Sequence, residues 1–348
     1  DGAGSHMRLA CVVHRFGPEI AGGSEAHCRV IAERLAARHD VTIVTTTAKD
    51  HVTWRNEFPP GRSELGPLHV LRFPVARQRV IREFADLSER VFDGTATPEL
   101  QEEWFRANGP EAPELLEHLR VHGRDYDLLL FWSFRYYQSY FGLPEVADRA
   151  VLVPTAEEDP AIHLGIFRSF FRSPRGILYL TPEEQDLVQG VSENAAVPSA
   201  VIGSGLDITP GWEAVDVRGQ YGLPADYLLY LGRLDRNKGV DKLLTYYLKL
   251  VAEWPEAPPL VLAGKPVIPI PDHPKIRHLG FVSDQQKYAL LAGCALLIMP
   301  SAYESLSIIV LEAWAMGRPV LVNAECRVLE GQCIRSGGGL FYRGYAEF

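Results

Sequence analysis

The chain has 348 residues, of which 47% are hydrophobic and 23% are charged, a composition typical of a folded globular protein. That length exceeds one comfortable core, so we expect two domains. The formal net charge of -9 argues against a general affinity for nucleic acid, because phosphate backbones are held by basic surfaces. Residues 1–6, DGAGSH, are typical of an expression-tag remnant ahead of Met7 and carry no fold prediction.

The cysteines and the hydropathy pattern bear on the cellular location of the protein. The five cysteines are scattered without the spacing of metal ligands, which favours reduced packing residues. No apolar run reaches the roughly 18 residues that a membrane span needs. We therefore expect a cytoplasmic protein without a signal peptide, and peripheral contact at the inner membrane face stays open.

Short β-branched runs alternate with amphipathic segments in the first half of the chain. Strands are predicted at RLACVV, VTIVTTT, HVLRF, DLLLFW, AVLVP and ILYLT, and a helix at SEAHCRVIAERLAARH. Residues 77–122 predict helical segments broken by Pro98, Pro110 and Pro113. Continuous apolar strands of this kind are typical of parallel sheets that are covered on both faces.

A second series of elements begins near residue 226. Strands are predicted at YLLYLG, LVLAG, IRHLG, ALLIMPS and PVLVN, with helices from about residues 239 and 283 and within residues 301–320. The fold class is therefore predicted to be α/β, with two doubly wound Rossmann-like domains at residues 7–205 and 206–348.

Ligands of open parallel sheets bind beyond the carboxyl ends of the strands, so the loops after the strands are the candidate sites. After the first strand, Gly22 and Gly23 precede a helix that Ser24 could cap, and glycines there let backbone N–H groups approach an anion. The spacing is not the G-x-G-x-x-G of dinucleotide-binding loops, and an ordinary flexible loop is the alternative.

The loop after YLLYLG places two cations, Arg233 and Lys238, five residues apart. They could fold back onto one diphosphate, whose charge arginine and lysine recognise. A solvated basic turn, in which Gly239 helps the chain to enter the helix, is the other interpretation.

The segment SAYESLSIIVLEAWAMGRPV at residues 301–320 carries two glutamates beside an apolar helix. Glu312 lies among core-like residues, where an unpaired charge is costly, so it needs a partner. Glu304 could accept from sugar hydroxyls and Glu312 from ribose hydroxyls, while the N–H groups of Leu306 and Ser307 hold phosphate oxygens. That is the order of groups in a nucleotide-sugar.

Each glutamate also has a purely structural interpretation. Ser301 and Glu304 have the spacing of a capping box. Glu312 could instead form a buried salt bridge with an arginine that the sequence does not reveal.

These motifs together resemble a known family. The G-R-x-x-x-x-K-G run at residues 232–239, followed by ESLSIIVLE at residues 304–312, is similar to the retaining glycosyltransferases of the GT-B architecture. More specifically, it resembles family four, the nucleotide-sugar-dependent glycosyl transferases group 1, which includes many bacterial glycan and antibiotic sugar transferases. The resemblance covers nearly the whole chain and implies a cleft between two domains. It also implies a UDP-, GDP- or similar sugar as donor, with no other cofactor.

The resemblance assigns a function to each matched position. Arg233 and Lys238 would hold the donor diphosphate, Glu312 the ribose and Glu304 the transferred sugar. The implied donor-binding positions are Gly22, Gly23, Gly232, Arg233, Lys238, Gly264, Phe281, Ser305, Leu306, Ser307 and Glu312.

The implied reaction must stabilise a departing nucleoside diphosphate while positive charge builds on the anomeric carbon. Fixed cations and helix N–H groups can do this without a bound metal, so we expect a metal-independent enzyme with Arg233, Lys238 and Glu304 as catalytic residues. Asp125 and Asp127 have D-x-D form, but they precede a strand and so lie at the wrong end of the sheet for a ligand.

Two features depart from the family. Related enzymes commonly have a histidine after the strand that corresponds to AVLVP, whereas this chain has Glu157 there and His163 six residues later. We expect Glu157 to be a further catalytic residue that helps electrostatically, with His163, His14 or a merely solvated glutamate as alternatives. The chain also stops at Phe348 on what resembles the start of another helix, and we expect a truncation there.

The acceptor is expected on the first domain, and it could be a small molecule, a glycan or a lipid-linked sugar. Its predicted wall is the insertion at residues 75–122, with Arg77, Arg79 and Arg82 ahead of a helix. The basic aromatic segment FRSFFRSPRG could meet an anionic or lipid-linked acceptor at a membrane surface, and an amphipathic helix packed on the sheet is the alternative.

Glycosyl transfer is one of three functional classes that fit. The alternatives are a nucleotide-sugar 2-epimerase on the same architecture and a non-catalytic protein that binds sugar nucleotides. An epimerase needs an acid and a base beside the reacting sugar carbon, and no such pair is evident near Glu304. A degenerate binder is expected to lose the loop cations, yet Arg233 and Lys238 are both present.

Overall fold

The structure, a computed structural model, describes residues 6–20 and 22–348. Most of the predicted tag remnant, residues 1–5, lies outside the described residues. The chain divides into two compact units, of which the first ends at Gly203 and the second comprises Ser204–Phe348. Within the described residues, no helix combines the length and the apolar character that crossing a bilayer requires.

The first unit is built on an eight-stranded sheet. Its strands are β1 (Arg8–Val12), β2 (Asp40–Thr46), β3 (Gly61–Leu65), β4 (Leu68–Phe73), β5 (Leu128–Trp132), β6 (Ala150–Val153), β7 (Gly176–Tyr179) and β8 (Ser199–Val201). Their order is β3-β4-β2-β1-β5-β6-β7-β8, and only the β3–β4 pair is antiparallel. The other strands therefore end at a common edge, which is where ligands of such sheets bind.

The helices of this unit are α1 (Gly23–Leu35), α2 (Ile81–Val91), α3 (Pro98–Asn108), α4 (Pro113–His122), α5 (Tyr137–Gly142), α6 (Phe167–Phe170) and α7 (Pro182–Ser192). Pro98 and Pro113 begin helices rather than merely breaking them, because a missing N–H costs nothing in the first turn. Phe105 and Phe167 pack edge to face in the core between these helices and the sheet.

The second unit contains a six-stranded, fully parallel sheet. Its strands are β9 (Leu228–Leu231), β10 (Leu260–Ala263), β11 (Ile276–His278), β12 (Leu296–Met299), β13 (Val320–Asn323) and β14 (Gly339–Tyr342). The order β11-β10-β9-β12-β13-β14 is that of a Rossmann sheet, and it reverses direction between β9 and β12. The predicted α/β class with two Rossmann-like sheets is confirmed.

The helices of the second unit are α8 (Val217–Tyr221), α9 (Val240–Glu253), α10 (Asp284–Gly293), α11 (Ile308–Ala315) and α12 (Arg327–Ser336). Helix α10 begins with a capping box in which the Ser283 hydroxyl accepts the N–H of Gln286 and the Gln286 side chain accepts the N–H of Ser283. Helix α11 begins at Ile308, so Glu312 lies only about one turn into it. At the chain end, β14 is followed by a turn in which the N–H groups of Glu347 and Phe348 both donate to the carbonyl oxygen of Gly344.

Candidate functional site

Two glycines let the loops after β9 and β10 touch at the carboxyl edge of the second sheet. Gly232 and Gly264 have φ values of +146° and +143°, which side chains rarely allow. A Cβ atom on Gly264 would lie 1.8 Å from the carbonyl oxygen of Gly232. Both positions were predicted to bind a donor, and the structure shows that each has a backbone reason to be glycine.

A third glycine brings the basic loop against the end of β12. Gly239 is the N-cap of α9 with φ +71°, and a Cβ atom there would lie 2.3 Å from the carbonyl oxygen of Pro300. Pro300 directly follows β12, and Lys238 directly precedes Gly239. The close approach therefore places Lys238 beside the turn that carries Glu304.

Lys238 and Glu304 form a direct ion pair. The ammonium nitrogen Nζ of Lys238 lies 2.7 Å from Oε1 of Glu304, and their side chains are 31% and 10% exposed. The capping box of Ser301 with Glu304 does not form, because the Ser301 hydroxyl donates to the Tyr303 carbonyl and α11 starts well beyond it. The structure thus brings together one cation and one anion that the sequence predicted separately.

Arg233 has a different partner, Asp235, which was not among the predicted site residues. The Arg233 Nε lies 3.2 Å from Oδ2 of Asp235, while Oδ1 accepts the backbone N–H of Lys238 at 2.8 Å. An aspartate three residues before the end of a turn is a common side-chain cap, and that spacing was the available signal. The Arg233 side chain remains 47% exposed, so a ligand can reach it from solvent.

The predicted phosphate-binding amides lie just before the first turn of α11. Ser305, Leu306 and Ser307 precede α11, and the N–H of Ser307 already donates to Oε1 of Gln332 at 3.3 Å. The N–H groups that helix geometry leaves unbonded belong to residues 308–310. The Ser307 hydroxyl is buried and has no hydrogen-bond partner within the part of the chain that the structure describes.

Glu312 has the partner that its burial requires. It is 7% exposed, and its Oε1 accepts from Nζ of Lys287 at 2.8 Å and from the hydroxyl of Tyr288 at 2.9 Å. The structural alternative anticipated an arginine, whereas the cation is a lysine of α10. Among the described residues, the other carboxylate oxygen, Oε2, has no hydrogen bond, so one acceptor remains for a ligand.

Phe281 is a solvent-facing aromatic ring on the loop after β11. It is 86% exposed, and its neighbour Gly280 accepts the N–H of Gly264 at 2.8 Å. That hydrogen bond joins the loops after β10 and β11 at the carboxyl edge. The predicted position is therefore adjacent to the glycine contact that organises this edge.

In the first unit, the Gly-Gly loop lies against a buried carboxylate. Gly22, not Ser24, is the N-cap of α1, and a Cβ atom on Gly22 would lie 2.1 Å from Oε2 of Glu25. A Cβ atom on Gly23 would meet no atom within 4 Å. Gly22 is thus required for packing, whereas Gly23 leaves open space at the positive end of a helix.

Glu25 belongs to a buried ionic cluster that the sequence did not predict. Its Oε1 lies 3.0 Å from both Nε2 of His14 and Nε of Arg15. Burial alone would raise the pKa of Glu25, but His14 and Arg15 outweigh it and hold that pKa well below its usual range. His14 also stacks on Tyr136 at a centroid distance of 3.9 Å, and burial lowers its pKa. Among the described residues, the other ring nitrogen of His14, Nδ1, is buried without a hydrogen-bond partner.

Glu157 lies on the loop after β6, as predicted, and a second glutamate holds that loop. Glu184, in the first turn of α7, is fully buried, and its two oxygens accept the N–H groups of Ala156 and Leu180, each at 2.6 Å. Burial raises the pKa of Glu184 to about 8; the two amides oppose that rise, and the charge of Glu157 adds to it. An acid following Thr181-Pro182 at a helix start was the available sequence signal.

Several predicted residues have structural functions instead. Among the expected acceptor-wall arginines, Arg79 donates to the carbonyl oxygens of Asn108 and His51, Arg77 pairs with Glu111, and Arg82 is exposed. Arg79 is therefore tied to the backbone rather than directed at an acceptor.

The segment FRSFFRSPRG does not present its aromatic rings to a membrane. Phe167, Phe170 and Phe171 are buried in the core of the first unit. Arg168 and Arg172 both pair with Glu193. The alternative of a segment packed on the sheet is the one observed. His163, the other candidate for the sugar site, is exposed and pairs with Glu158.

The D-x-D pair is structural, as predicted. Asp127 accepts the backbone N–H of Arg8 at 2.7 Å, and Asp125 lies 3.1 Å from the ring of His122. These contacts lie at the amino ends of β1 and β5. Across residues 6–20 and 22–348, no three histidine, cysteine, aspartate or glutamate side chains are grouped to hold a metal ion.

Known proteins are similar in sequence to this chain. Residues 225–338 match the family described as Glycosyl transferases group 1. An uncharacterized glycosyltransferase of Methanocaldococcus jannaschii is 23% identical, covering 93% of this chain and 82% of that protein. D-inositol 3-phosphate glycosyltransferase of Corynebacterium urealyticum is 30% identical over 176 residues, which are 43% of this chain and 41% of that protein.

Solved structures share the fold. Anabaena HepE in complex with UDP and glucose has a TM-score of 0.65 at 16% identity, covering 98% of this chain and 88% of that one. Sucrose-phosphate synthase from Thermosynechococcus elongatus has a TM-score of 0.70 at 17% identity, with the same coverage of 98% and 88%. The two Rossmann-like sheets and these likenesses define a protein of the GT-B fold. The match of residues 225–338 and the two glycosyltransferase relatives indicate a glycosyltransferase.

The two glycines before α1 should differ in their effect on stability. Gly22→Ala should lower the free energy of unfolding by about 1 to 3 kcal/mol, because the new methyl group overlaps the held carboxylate of Glu25. Gly23→Ala, at the first position of a helix with open space, should be neutral or slightly stabilising. Thermal unfolding of the two variants measures the difference, and equal midpoints would show that Glu25 moves aside freely.

Glu184 should make the protein less stable as the pH rises. Its pKa is about 8 in the folded state against an ordinary 4.5, so the folded chain binds this proton more tightly, and the resulting stabilisation is lost as the pH passes 8. Glu184→Gln cannot titrate, so the stability advantage of the wild type over this variant should shrink between about pH 5 and pH 9. Thermal midpoints across that range test this. Glu103→Gln, on the exposed face of α3, is the control, and parallel curves for all three proteins would contradict the prediction.

Proposed function

We propose that this chain is a retaining glycosyltransferase that moves a sugar from a nucleotide-sugar to an acceptor without a divalent metal. The observation that carries the proposal is the contact of Lys238 with Glu304. The loop of Lys238 follows β9 and the turn of Glu304 follows β12, and the strand order reverses between these two strands. Ligands of such sheets bind at that reversal.

The cations stabilise the leaving group. Arg233 and Lys238 face the donor diphosphate, and the unbonded N–H groups of residues 308–310 add the positive end of α11. These charges interact most strongly as the bond from the anomeric carbon to the phosphate oxygen breaks, so they lower the barrier rather than only tightening binding. Because cations of the chain itself neutralise the diphosphate, the proposed reaction needs no metal.

Glu304 positions the transferred sugar. Its carboxylate accepts hydrogen bonds from sugar hydroxyls while it remains beside Lys238. As the bond from the anomeric carbon to the phosphate oxygen breaks, that phosphate oxygen takes the proton of the acceptor hydroxyl. The acceptor oxygen then bonds the anomeric carbon on the face that the phosphate leaves, so the configuration of the anomeric carbon is retained. The resemblance also implies Glu157 as a catalytic residue, and Glu184 holds the loop that carries it.

The nucleoside and the remaining phosphate contacts complete the proposal. Oε2 of Glu312 accepts from the ribose, and the exposed ring of Phe281 stacks on the base. In the first unit, the open backbone of Gly23 at the start of α1 is the proposed anion-binding position. The structural neighbour HepE is solved with UDP and glucose, so UDP-glucose is the first donor to test.

Transfer and its metal independence can be tested together. The protein should release free nucleoside diphosphate and sugar, or transferred sugar, from a member of a panel that includes UDP-glucose and GDP-mannose, and a chelator should not slow the release. Chromatography and mass spectrometry identify the products. An isomerised donor would indicate an epimerase, and a donor that binds unchanged would indicate a binding protein. Activity abolished by chelation and restored by magnesium or manganese would contradict the metal-independent reaction.

Substitutions of the cations and of Glu304 should have different effects on nucleotide binding and on turnover. Arg233→Ala and Lys238→Ala should each weaken nucleoside diphosphate binding by about 1.5 to 3 kcal/mol, the worth of a charge-assisted hydrogen bond. Glu304→Gln should leave that affinity unchanged or higher, because Lys238 loses its internal competitor, while turnover falls.

Calorimetry with UDP and GDP, together with steady-state kinetics, measures both effects. Arg236→Ala is the matched control, since Arg236 is an exposed cation of the same loop. Equal losses in the Arg236, Arg233 and Lys238 variants would mean that only the net charge of the loop matters.

A further inference from the structure

Glu312 is held by two donors from one neighbouring helix. Lys287 and Tyr288 are adjacent on α10, and both bond the same oxygen, Oε1, at 2.8 Å and 2.9 Å. The Lys287 ammonium also lies 4.6 Å from the centre of the Tyr288 ring. The carboxylate is thus fixed through one oxygen, and its other oxygen keeps its acceptor capacity.

We propose that Lys287 and Tyr288 are positioning residues that make Glu312 selective for a ribose over a deoxyribose. This inference rests on the proposed function, because it assumes a nucleoside diphosphate at this site. It goes beyond that function by assigning the sugar selectivity of the nucleotide to two residues that do not touch the ligand.

The geometry explains why two donors are needed. A glutamate side chain has several rotamers, and freezing one costs entropy that a single hydrogen bond to the ribose would have to offset at binding. Tyr288 is 2% exposed, so its ring cannot move without disturbing the packing of α10. The cost of ordering Glu312 is therefore met during folding rather than when the nucleotide binds.

The charge of Lys287 has a separate consequence. Glu312 is buried, and a buried carboxylate without a cation is strongly disfavoured. Because Lys287 bonds Oε1, that cation offsets the cost of burying the carboxylate while Oε2 still accepts from a hydroxyl group. Asp284 lies 3.6 Å from Lys287 on the exposed side of α10 and keeps the ammonium between two carboxylates.

The Tyr288 hydroxyl has only one proton to donate. It lies 2.9 Å from Oε1 of Glu312 and 3.2 Å from the backbone oxygen of Asp207. The carboxylate is the nearer and the charged acceptor, so the proton belongs to Glu312. Removing only this hydroxyl tests the positioning effect without removing a charge.

The test compares matched pairs of nucleotides. Calorimetry gives the dissociation constants of UDP, GDP and their 2′-deoxy counterparts for the wild type and for Lys287→Met, Lys287→Arg and Tyr288→Phe. The wild type should prefer the ribonucleotide by about tenfold, the size of one hydrogen bond to a charged group. Lys287→Met and Tyr288→Phe should lose most of that preference by weakening the ribonucleotide alone, and Lys287→Arg should retain it.

A matched control comes from the same unit. Lys249 also pairs with a glutamate, Glu253, at 4.0 Å and lies 4.0 Å from the centre of a tyrosine ring, but it does not contact Glu312. Lys249→Met should leave the preference unchanged.

The outcomes separate the two hypotheses. If Lys287→Met and Tyr288→Phe weaken ribonucleotide and deoxyribonucleotide equally, or leave the preference intact, the residues only support the fold and the inference is overturned. If the wild type binds a nucleoside diphosphate without preferring ribose, the selectivity assigned to Glu312 is wrong while donor binding stands. If the wild type binds no nucleoside diphosphate at all, the proposed function fails, and this inference fails with it.

Discussion

The candidate site depends on contacts between backbone atoms that leave no room for side chains. The carbonyl oxygen of Gly232 lies against the α-carbon of Gly264, and that of Pro300 lies against the α-carbon of Gly239. These contacts bring the loops after β9, β10 and β12 to a common edge. The ion pair between Lys238 and Glu304 is a consequence of this arrangement, since an added methyl group at Gly239 would push the two loops apart.

Three carboxylates at this edge each have a cationic partner within the same unit. Glu304 has Lys238, Glu312 has Lys287 and Asp235 has Arg233. The pairing lets charged side chains remain at partly buried positions without a ligand, where single charges would be costly. A ligand that binds a charged side chain at this edge therefore has to displace its internal counter-ion, and that loss offsets part of the interaction energy of the ligand. Affinity at such a site reflects a difference between two sets of charge interactions.

The apolar strands and the post-strand loops were predictable from the sequence, whereas the partners of charged residues were not. Runs such as YLLYLG have the hydrophobicity of buried parallel strands, and glycine and charge in the next residues indicate a ligand loop. In contrast, Lys238 and Glu304 are 66 residues apart, and Lys287 and Glu312 are 25 residues apart. Which lysine meets which glutamate depends on how helices pack over the sheet, and local sequence pattern does not contain that information. The edge strands β3, β8 and β14 were also missed. The residues of β3 and β8 are mostly exposed and lack an apolar pattern, and only one residue of β14, Tyr342, is fully buried.

The cluster of His14, Arg15 and Glu25 has a consequence for how this protein can change over evolutionary time. All three side chains are buried, and the carboxylate of Glu25 is shared by both neighbours. Loss of Glu25 alone would strand a buried guanidinium, and loss of Arg15 alone would leave the carboxylate with a histidine whose pKa burial lowers. A chain that has lost only one of the three residues should therefore be less stable than a chain that keeps all three. Divergent descendants should keep all three residues or replace them together, and Gly22 should be free to become a larger residue only in lineages that have lost the trio.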